Sequence, residues 1–207
     1  MRDYEEMSKK HFDLQAEEYD QKETMYYSKF PKVSSRDVAK RLENFEYEKL
    51  LDVGCGTGFL IEILKKQKDA EYYGLDLSPK MIEIAKAKFD GGVQLVEGSA
   101  DYLPYPDNTF DVVCCVQSFH HYPYPEKAMS EAYRVLKPGG IYILSDTGCS
   151  GIAKLFDNIV FKYFMKSGDY AAYSIKDIEK LMKSSNFEIA CSEKLTRFIF
   201  TVIGKKR

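Results

Sequence analysis

Three glycines stand at alternate positions in the stretch LLDVGCGTGFL, directly behind an apolar run. Gly54, Gly56 and Gly58 mark a turn in which the backbone bends sharply or comes very close to a bound group. The residues just after the turn decide which group. A triphosphate-binding loop ends in Gly-Lys-Ser/Thr, and Phe59 and Leu60 stand there instead. A nicotinamide-dinucleotide fingerprint needs a third small residue, and Phe59 or Ile61 occupies that position, depending on register. A plain strand-to-helix turn does not require three alternate glycines, which cost unfolded-chain entropy. Asp76 lies at the end of the next apolar run, where a carboxylate can accept both hydroxyls of a ribose. A nucleoside therefore fits the pair best. The histidines are His11, His120 and His121, and imidazole is the side chain that exchanges protons near neutrality. On an extended chain the two adjacent rings would face opposite ways. No third ligand stands at a metal-binding spacing from them, so no metal is expected.

Bulk composition narrows the partners. The chain has 207 residues, 44% hydrophobic and 30% charged, with a net charge of −2. That length suits one substantial core and falls short of two full domains. Phosphate-backbone binding needs clustered Lys and Arg, so a nucleic-acid partner is not expected. Residues 149–207 carry 11 basic and 6 acidic side chains, but these are spread out and read as a solvated face and tail. The five cysteines include no CxxC pair, and Cys114 and Cys115 sit in an apolar run as small buried hydrophobes. Their pattern suits a reducing cytoplasm. The first residues, MRDYEEMSKKHFDLQAEEYD, contain no signal-like apolar segment, and no apolar run approaches the ~18 residues of a membrane span. The expectation is a cytoplasmic protein without a membrane partner, either monomer or homodimer.

These residues need elements to hold them. From Lys49 onward short apolar runs alternate with amphipathic stretches: KLLDVGC, EYYGLDLS, VQLVEGSA, FDVVCCVQSF and GIYILSDT as strands, with FLIEILKKQK, PKMIEIAKAKF and PEKAMSEAYRVLK as helices between them. Leu60, Ile63 and Leu64 are expected on one helical face, Ser78 and Pro79 to open the second helix, and KPGG to close the third. Such alternation implies right-handed crossovers and a mainly parallel sheet covered on both faces. After Ser150, IAKLFDNIVFKYFMK places Ile152, Leu155, Phe156, Ile159, Val160 and Phe164 at helical spacing, an apolar face expected mainly in the core. YSIKDIEKLMKSSN reads as a helix capped by Ser174. FEIACSEKLT and RFIFTVIGKK come next as an antiparallel hairpin at a sheet edge. A single domain, 1–207, is expected, made of a helical cap (1–48), a cofactor-binding core (49–148) and a closing segment of helices and a β-hairpin (149–207). Ligands of such sheets bind outside the carboxyl ends of the strands, where the strand order reverses.

LLDVGCGTGFL, GLDLSPKMIEIAK, VEGSADYLPYPDNTFDVVCCVQSFHH and AYRVLKPGGIYILSD resemble, in order and spacing, the class I S-adenosylmethionine-dependent methyltransferases. The similarity is greatest to the small-molecule, methyltransferase type 11 branch. It is strong over residues 45–148, with weaker echoes at 12–20 and 173–189. The resemblance implies an α/β, Rossmann-like doubly wound sheet of seven strands, mainly parallel with an antiparallel edge strand and helices on both faces. It implies S-adenosylmethionine as cofactor. Gly54, Cys55, Gly56 and Gly58 would admit the methionine and ribose portions, and Asp52 would help place the amino group. Asp76 would take the ribose hydroxyls, Leu77 and Met81 would line the adenine, and Ser99 and Ala100 would meet its edge. Gln117 would offer its backbone carbonyl to the ammonium. Many relatives carry Asp where Ser99 stands, so Ser99 or a shifted Asp101 must supply that contact here.

Methyl transfer from a sulfonium is an in-line displacement, which asks the protein for alignment and a dry pocket. His121, just past the fourth strand, is the candidate base or positioning residue for a small-molecule acceptor. Tyr19, Phe119, His120 and Tyr122 are the candidate acceptor contacts, with Phe12, Tyr26, Tyr27, Phe156, Phe161 and Phe164 as further aromatics. Nothing after the fourth strand matches the Asn/Asp-Pro-Pro-Tyr segment of base-modifying enzymes. Two alternatives remain: a non-catalytic S-adenosylmethionine-binding sensor or partner subunit, and a nicotinamide oxidoreductase, which Phe59 and Ile61 disfavour.

Overall fold

The structure, a computed structural model, describes residues 3–21, 29–163 and 167–207. Seven strands form one sheet: β1 (Lys49–Val53), β2 (Glu71–Asp76), β3 (Gln94–Glu97), β4 (Phe110–Val116), β5 (Leu136–Thr147), β6 (Glu188–Lys194) and β7 (Ile199–Lys205). Their order is β3-β2-β1-β4-β5-β7-β6. The strands from β3 to β5 pair in parallel, whereas β7 lies antiparallel between β5 and β6. The hairpin thus closes one edge, with β7 inside and β6 outermost. The order reverses between β1 and β4, so the crevice expected of an open α/β sheet opens there.

Side chains alternate across the strands and feed two apolar layers. Leu51, Val53, Phe110 and Leu144 join Ala128 and Met129 of α5 (Pro125–Val135) and Ile178 and Met182 of α7 (Ile175–Ser184). Leu50, Val112 and Ile143 join the other layer. It holds Val38 and Leu42 of α2 (Phe30–Leu42), Leu60, Ile61 and Leu64 of α3 (Phe59–Gln67), and Ile82 and Ala85 of α4 (Pro79–Phe89). Ile61 rather than Ile63 completes the buried face of α3. Ser78 caps α4 by accepting from the Met81 N–H, and Ser174 forms a capping box with Asp177 at α7.

Two expectations change. KPGG does not close α5, which ends at Val135; Leu136 already pairs with Phe110, and the turn at Gly139 (φ +84°) falls within β5. The extra residues are absorbed by a register shift between Phe110 and Val112. The second change concerns α6 (Gly151–Tyr163), whose apolar face is turned outward: Ile152 is 87% exposed, Leu155 and Phe156 64%, and Ile159 46%. Its polar face is the one that is anchored. Lys154 pairs with Asp177 at 2.6 Å, Asn158 accepts from the Ala172 N–H at 2.7 Å, and Asp157 accepts from the Cys149 thiol.

Among the described residues, two elements precede the sheet besides α2: α1 (Tyr4–Gln15) and a 3-10 turn, Ala16–Glu18. Asp13 accepts from Ser78 Oγ at 2.6 Å and Asp20 from Thr57 Oγ1 at 2.7 Å, which ties this segment across the strand ends. Among the described residues, no helix is long and apolar enough to cross a membrane.

Candidate functional site

The carboxyl ends of β1, β2 and β4, roofed by α1, enclose a cleft. The glycine turn forms its floor. Gly54 has φ +76°, and a Cβ there would sit 2.0 Å from Ser118 Oγ, so only glycine fits. At Gly56 (φ +52°) a Cβ would meet nothing within 4 Å, because that side of the turn faces the open cleft. Gly58 has a different task from the one expected: it does not line the cleft. It starts α3 in the left-handed conformation, and a Cβ would strike the Phe89 ring at 2.5 Å.

Asp76 organises this turn. Its Oδ2 accepts from the Gly56 N–H at 2.7 Å and its Oδ1 from the Ser78 N–H at 2.9 Å. Burial raises its pKa, against the effect of those N–H donors. Asp52, buried at the end of β1, has an Oδ1 without a hydrogen-bond partner. Burial, with Asp76 nearby, pushes its pKa up to about 7. Ionising Asp52 therefore costs folded stability, and the cost grows as pH rises from its unfolded value of 3.8 through about 7. Asp52→Asn removes that cost. The variant is expected to melt above the wild type at pH 8, by up to about 4 kcal/mol of stability, with the advantage vanishing near pH 4. Thermal melts at the two pH values check this.

The group implied by the resemblance fits these features. A buried carboxylate with a free oxygen suits an ammonium, Gly56 leaves room for close approach, and Asp76 is placed for vicinal hydroxyls. Cys55, Leu77, Met81, Ser99, Ala100 and Gln117 all line the same cleft. Ser99 donates to Glu5 Oε1 at 2.6 Å, so a carboxylate does stand beside it, delivered by α1 rather than by Asp101. Glu5, Thr57 and Leu60 also line the cleft. Glu5, Ser8 and Lys9 of α1 carry no readable signal in the sequence, being ordinary polar positions on a helix. Gln117 itself adopts φ +52°, with Nε2 donating to Ser34 Oγ.

A second cavity, of about 480 Å³, adjoins the first. His121, Gln117, Phe12 and Tyr19 line both. Phe30, Ala153, Ala172 and Phe198 give the second an apolar wall, while His120 and Asp169 give it a polar corner. The histidines do not face opposite ways, because Phe119–His121 is a 3-10 turn rather than an extended segment. Their ring centroids are 4.2 Å apart. His120 Nδ1 is bound to Asp146 Oδ1 at 2.7 Å, and its Nε2 lies 3.6 Å from Asp169 Oδ1. Burial opposes a charge on His120, yet Asp146 and Asp169 outweigh it and raise its pKa to about 9. Burial and the neighbouring His120 charge hold His121 neutral. His121 Nδ1 is buried without a hydrogen-bond partner.

Of the expected acceptor contacts, one lies outside both cavities and another borders only the first. Phe119 is fully buried in the core beneath the turn and reaches neither cavity. Tyr122 lines the first cleft only, held by its hydroxyl to the Val53 carbonyl (3.2 Å) and Ser118 Oγ (3.0 Å). Tyr19 and His120 do line the second cavity. Tyr26, Tyr27, Phe164 and the side chain of Phe161 lie outside the described residues.

Residues 51–144 match a family profile described as a methyltransferase domain. A chloroplastic 2-methyl-6-phytyl-1,4-hydroquinone methyltransferase 1 from Oryza sativa subsp. japonica is 44% identical over 98 residues, 46% of this chain and 30% of that protein. A demethylmenaquinone methyltransferase from Lysinibacillus sphaericus is 33% identical over 158 residues, 72% of this chain and 67% of that protein. The chain spans less than half the length of the first curated relatives it matches. Among solved structures, an S-adenosylmethionine-dependent methyltransferase from Thermotoga maritima superposes with a TM-score of 0.74 at 23% identity, covering 97% of this chain and 100% of that one.

Proposed function

The chain belongs to the class I S-adenosylmethionine-dependent methyltransferase family, and we propose that it methylates an oxygen, nitrogen or carbon atom of a small molecule with an apolar body. The observation that carries the proposal is the shared wall: His121 and Gln117 border both the glycine-floored cleft and the apolar cavity. S-adenosylmethionine, when bound, supplies an electrophilic methyl group. Asp52 receives its ammonium together with the Gln117 carbonyl, Asp76 holds the ribose, and Gly54, Cys55 and Gly56 allow the backbone to approach. Leu77, Met81 and Ala100 flank the adenine, with the Ser99–Glu5 pair at its edge. His121 meets the reacting group of the acceptor, while Tyr19 and His120 border its site.

The lining by Phe12, Phe30 and Phe198 supports an acceptor with a hydrophobic portion. The two relatives named above carry quinone and hydroquinone substrates in their names, which agrees with that class. A net charge of −2 speaks against a nucleic acid. Five cysteines, all free, suit a cytoplasmic setting. Release of S-adenosylhomocysteine across a panel of phenols, hydroquinones, fatty acids and amines tests the reading. Turnover of apolar members is the expected result. Silence across the panel despite firm cofactor binding would favour a non-catalytic sensor.

A further inference from the structure

We propose that His120, His121 and Asp169 form a divalent transition-metal site at the polar corner of the acceptor cavity, where the cation takes an acceptor oxygen. One ligand atom from each lies within 4.8 Å of the others. Asp169 Oδ1 is 3.6 Å from His120 Nε2 and 3.9 Å from His121 Nδ1. A tetrahedral cation with bonds of about 2.0–2.2 Å holds its ligands roughly 3.3–3.6 Å apart, close to the spacing of Asp169 Oδ1 from each ring.

The surroundings are arranged as a metal site requires. Asp146 takes His120 Nδ1 at 2.7 Å and the His120 N–H at 3.1 Å, which turns Nε2 toward Asp169. A carboxylate behind a ligating histidine is the usual means of fixing ring and tautomer. Asp169 is delivered by a segment pinned to the histidine turn: the Tyr170 and Ala171 N–H groups donate to the His120 carbonyl at 2.8 and 3.2 Å. The Ser167 hydroxyl occupies Asp169 Oδ2, leaving Oδ1 toward the rings. Without a cation, His120 Nδ1 is satisfied by Asp146, its Nε2 lies 3.6 Å from Asp169 Oδ1, and the buried His121 Nδ1 has no hydrogen-bond partner. A cation accounts for that atom.

Two imidazoles and a carboxylate select zinc, cobalt, iron(II) or manganese over calcium. Three protein ligands leave a coordination position open to the cavity, as in catalytic rather than structural sites. A hydroxyl, phenol or enol oxygen of the acceptor suits that position, and the cation would acidify it. The metal site stands alone; its role toward the acceptor rests on the methyl-transfer reading.

The full-length chain, stripped with a chelator, is dialysed against zinc and separately against cobalt, and bound metal is quantified. One ion per chain is expected, with a tetrahedral cobalt spectrum. Asp169→Asn and His121→Ala are each expected to weaken binding at least tenfold. Substoichiometric zinc at excess, or metal retained equally in both variants, overturns the proposal. Calorimetry with S-adenosylmethionine on the same samples reports folding and separates the two readings. Cofactor binding without metal refutes only the site, and metal without cofactor refutes only the function. Asp169→Asn, nearly isosteric, keeps the test decisive where His121→Ala fails to fold.

Discussion

Replacing Asp76 with alanine is expected to weaken S-adenosylmethionine binding by at least a hundredfold while the protein still folds. The side chain does two things at once. It would accept both ribose hydroxyls, and it holds the Gly56 and Ser78 N–H groups at 2.7 and 2.9 Å. Each hydrogen bond to a charged acceptor contributes about 1.5–3 kcal/mol. Losing two therefore corresponds to a factor of roughly 10²–10⁴ in affinity. The folding cost of leaving the Gly56 and Ser78 N–H groups unpaired is partly offset because burial disfavours the Asp76 charge in the ligand-free protein. Asp76→Asn keeps the shape and one acceptor oxygen, so its loss should be intermediate. Isothermal titration on both variants, with circular dichroism as a folding control, checks the ranking; equal affinity in Asp76→Ala and wild type would remove Asp76 from the site.

His121→Ala is expected to lower turnover of the identified acceptor by about 10²-fold or more, the range for losing a positioned acid-base or orienting group. Cofactor affinity should change less than threefold, because the glycine turn and Asp76 are held by other bonds. His121 sits at the wall common to both cavities, packed edge-on against Phe12 at 5.1 Å between ring centroids. A purely structural histidine would instead lower stability and affect both parameters together. Steady-state kinetics with a separately measured cofactor Kd distinguishes the two outcomes.

The cofactor half of the site is legible in the sequence because its parts are local. A turn of three glycines, a capped helix after Ser78 and an aspartate at a strand end each announce themselves within a few residues. Gly58 is legible as a constraint but not as to its cause, since its neighbour Phe89 lies on another helix. The acceptor half is hidden for a different reason. Asp169 reaches the histidines across a separation of 48 residues, through backbone bonds that no periodicity encodes. Phe119 reads as a site residue because its neighbours line the cavities, yet the 3-10 turn sends its ring into the core. The orientation of α6 escapes the sequence because apolar spacing reports amphipathicity, not which face is anchored; Lys154 and Asn158 decide that.

That the cleft between the ends of β1, β2 and β4 binds S-adenosylmethionine is tested most directly by isothermal titration. The wild-type chain is titrated with S-adenosylmethionine and, in parallel, with NAD. One S-adenosylmethionine per chain with micromolar affinity and no measurable NAD binding is the predicted result. Absence of heat with S-adenosylmethionine, or tighter binding of NAD, would contradict it.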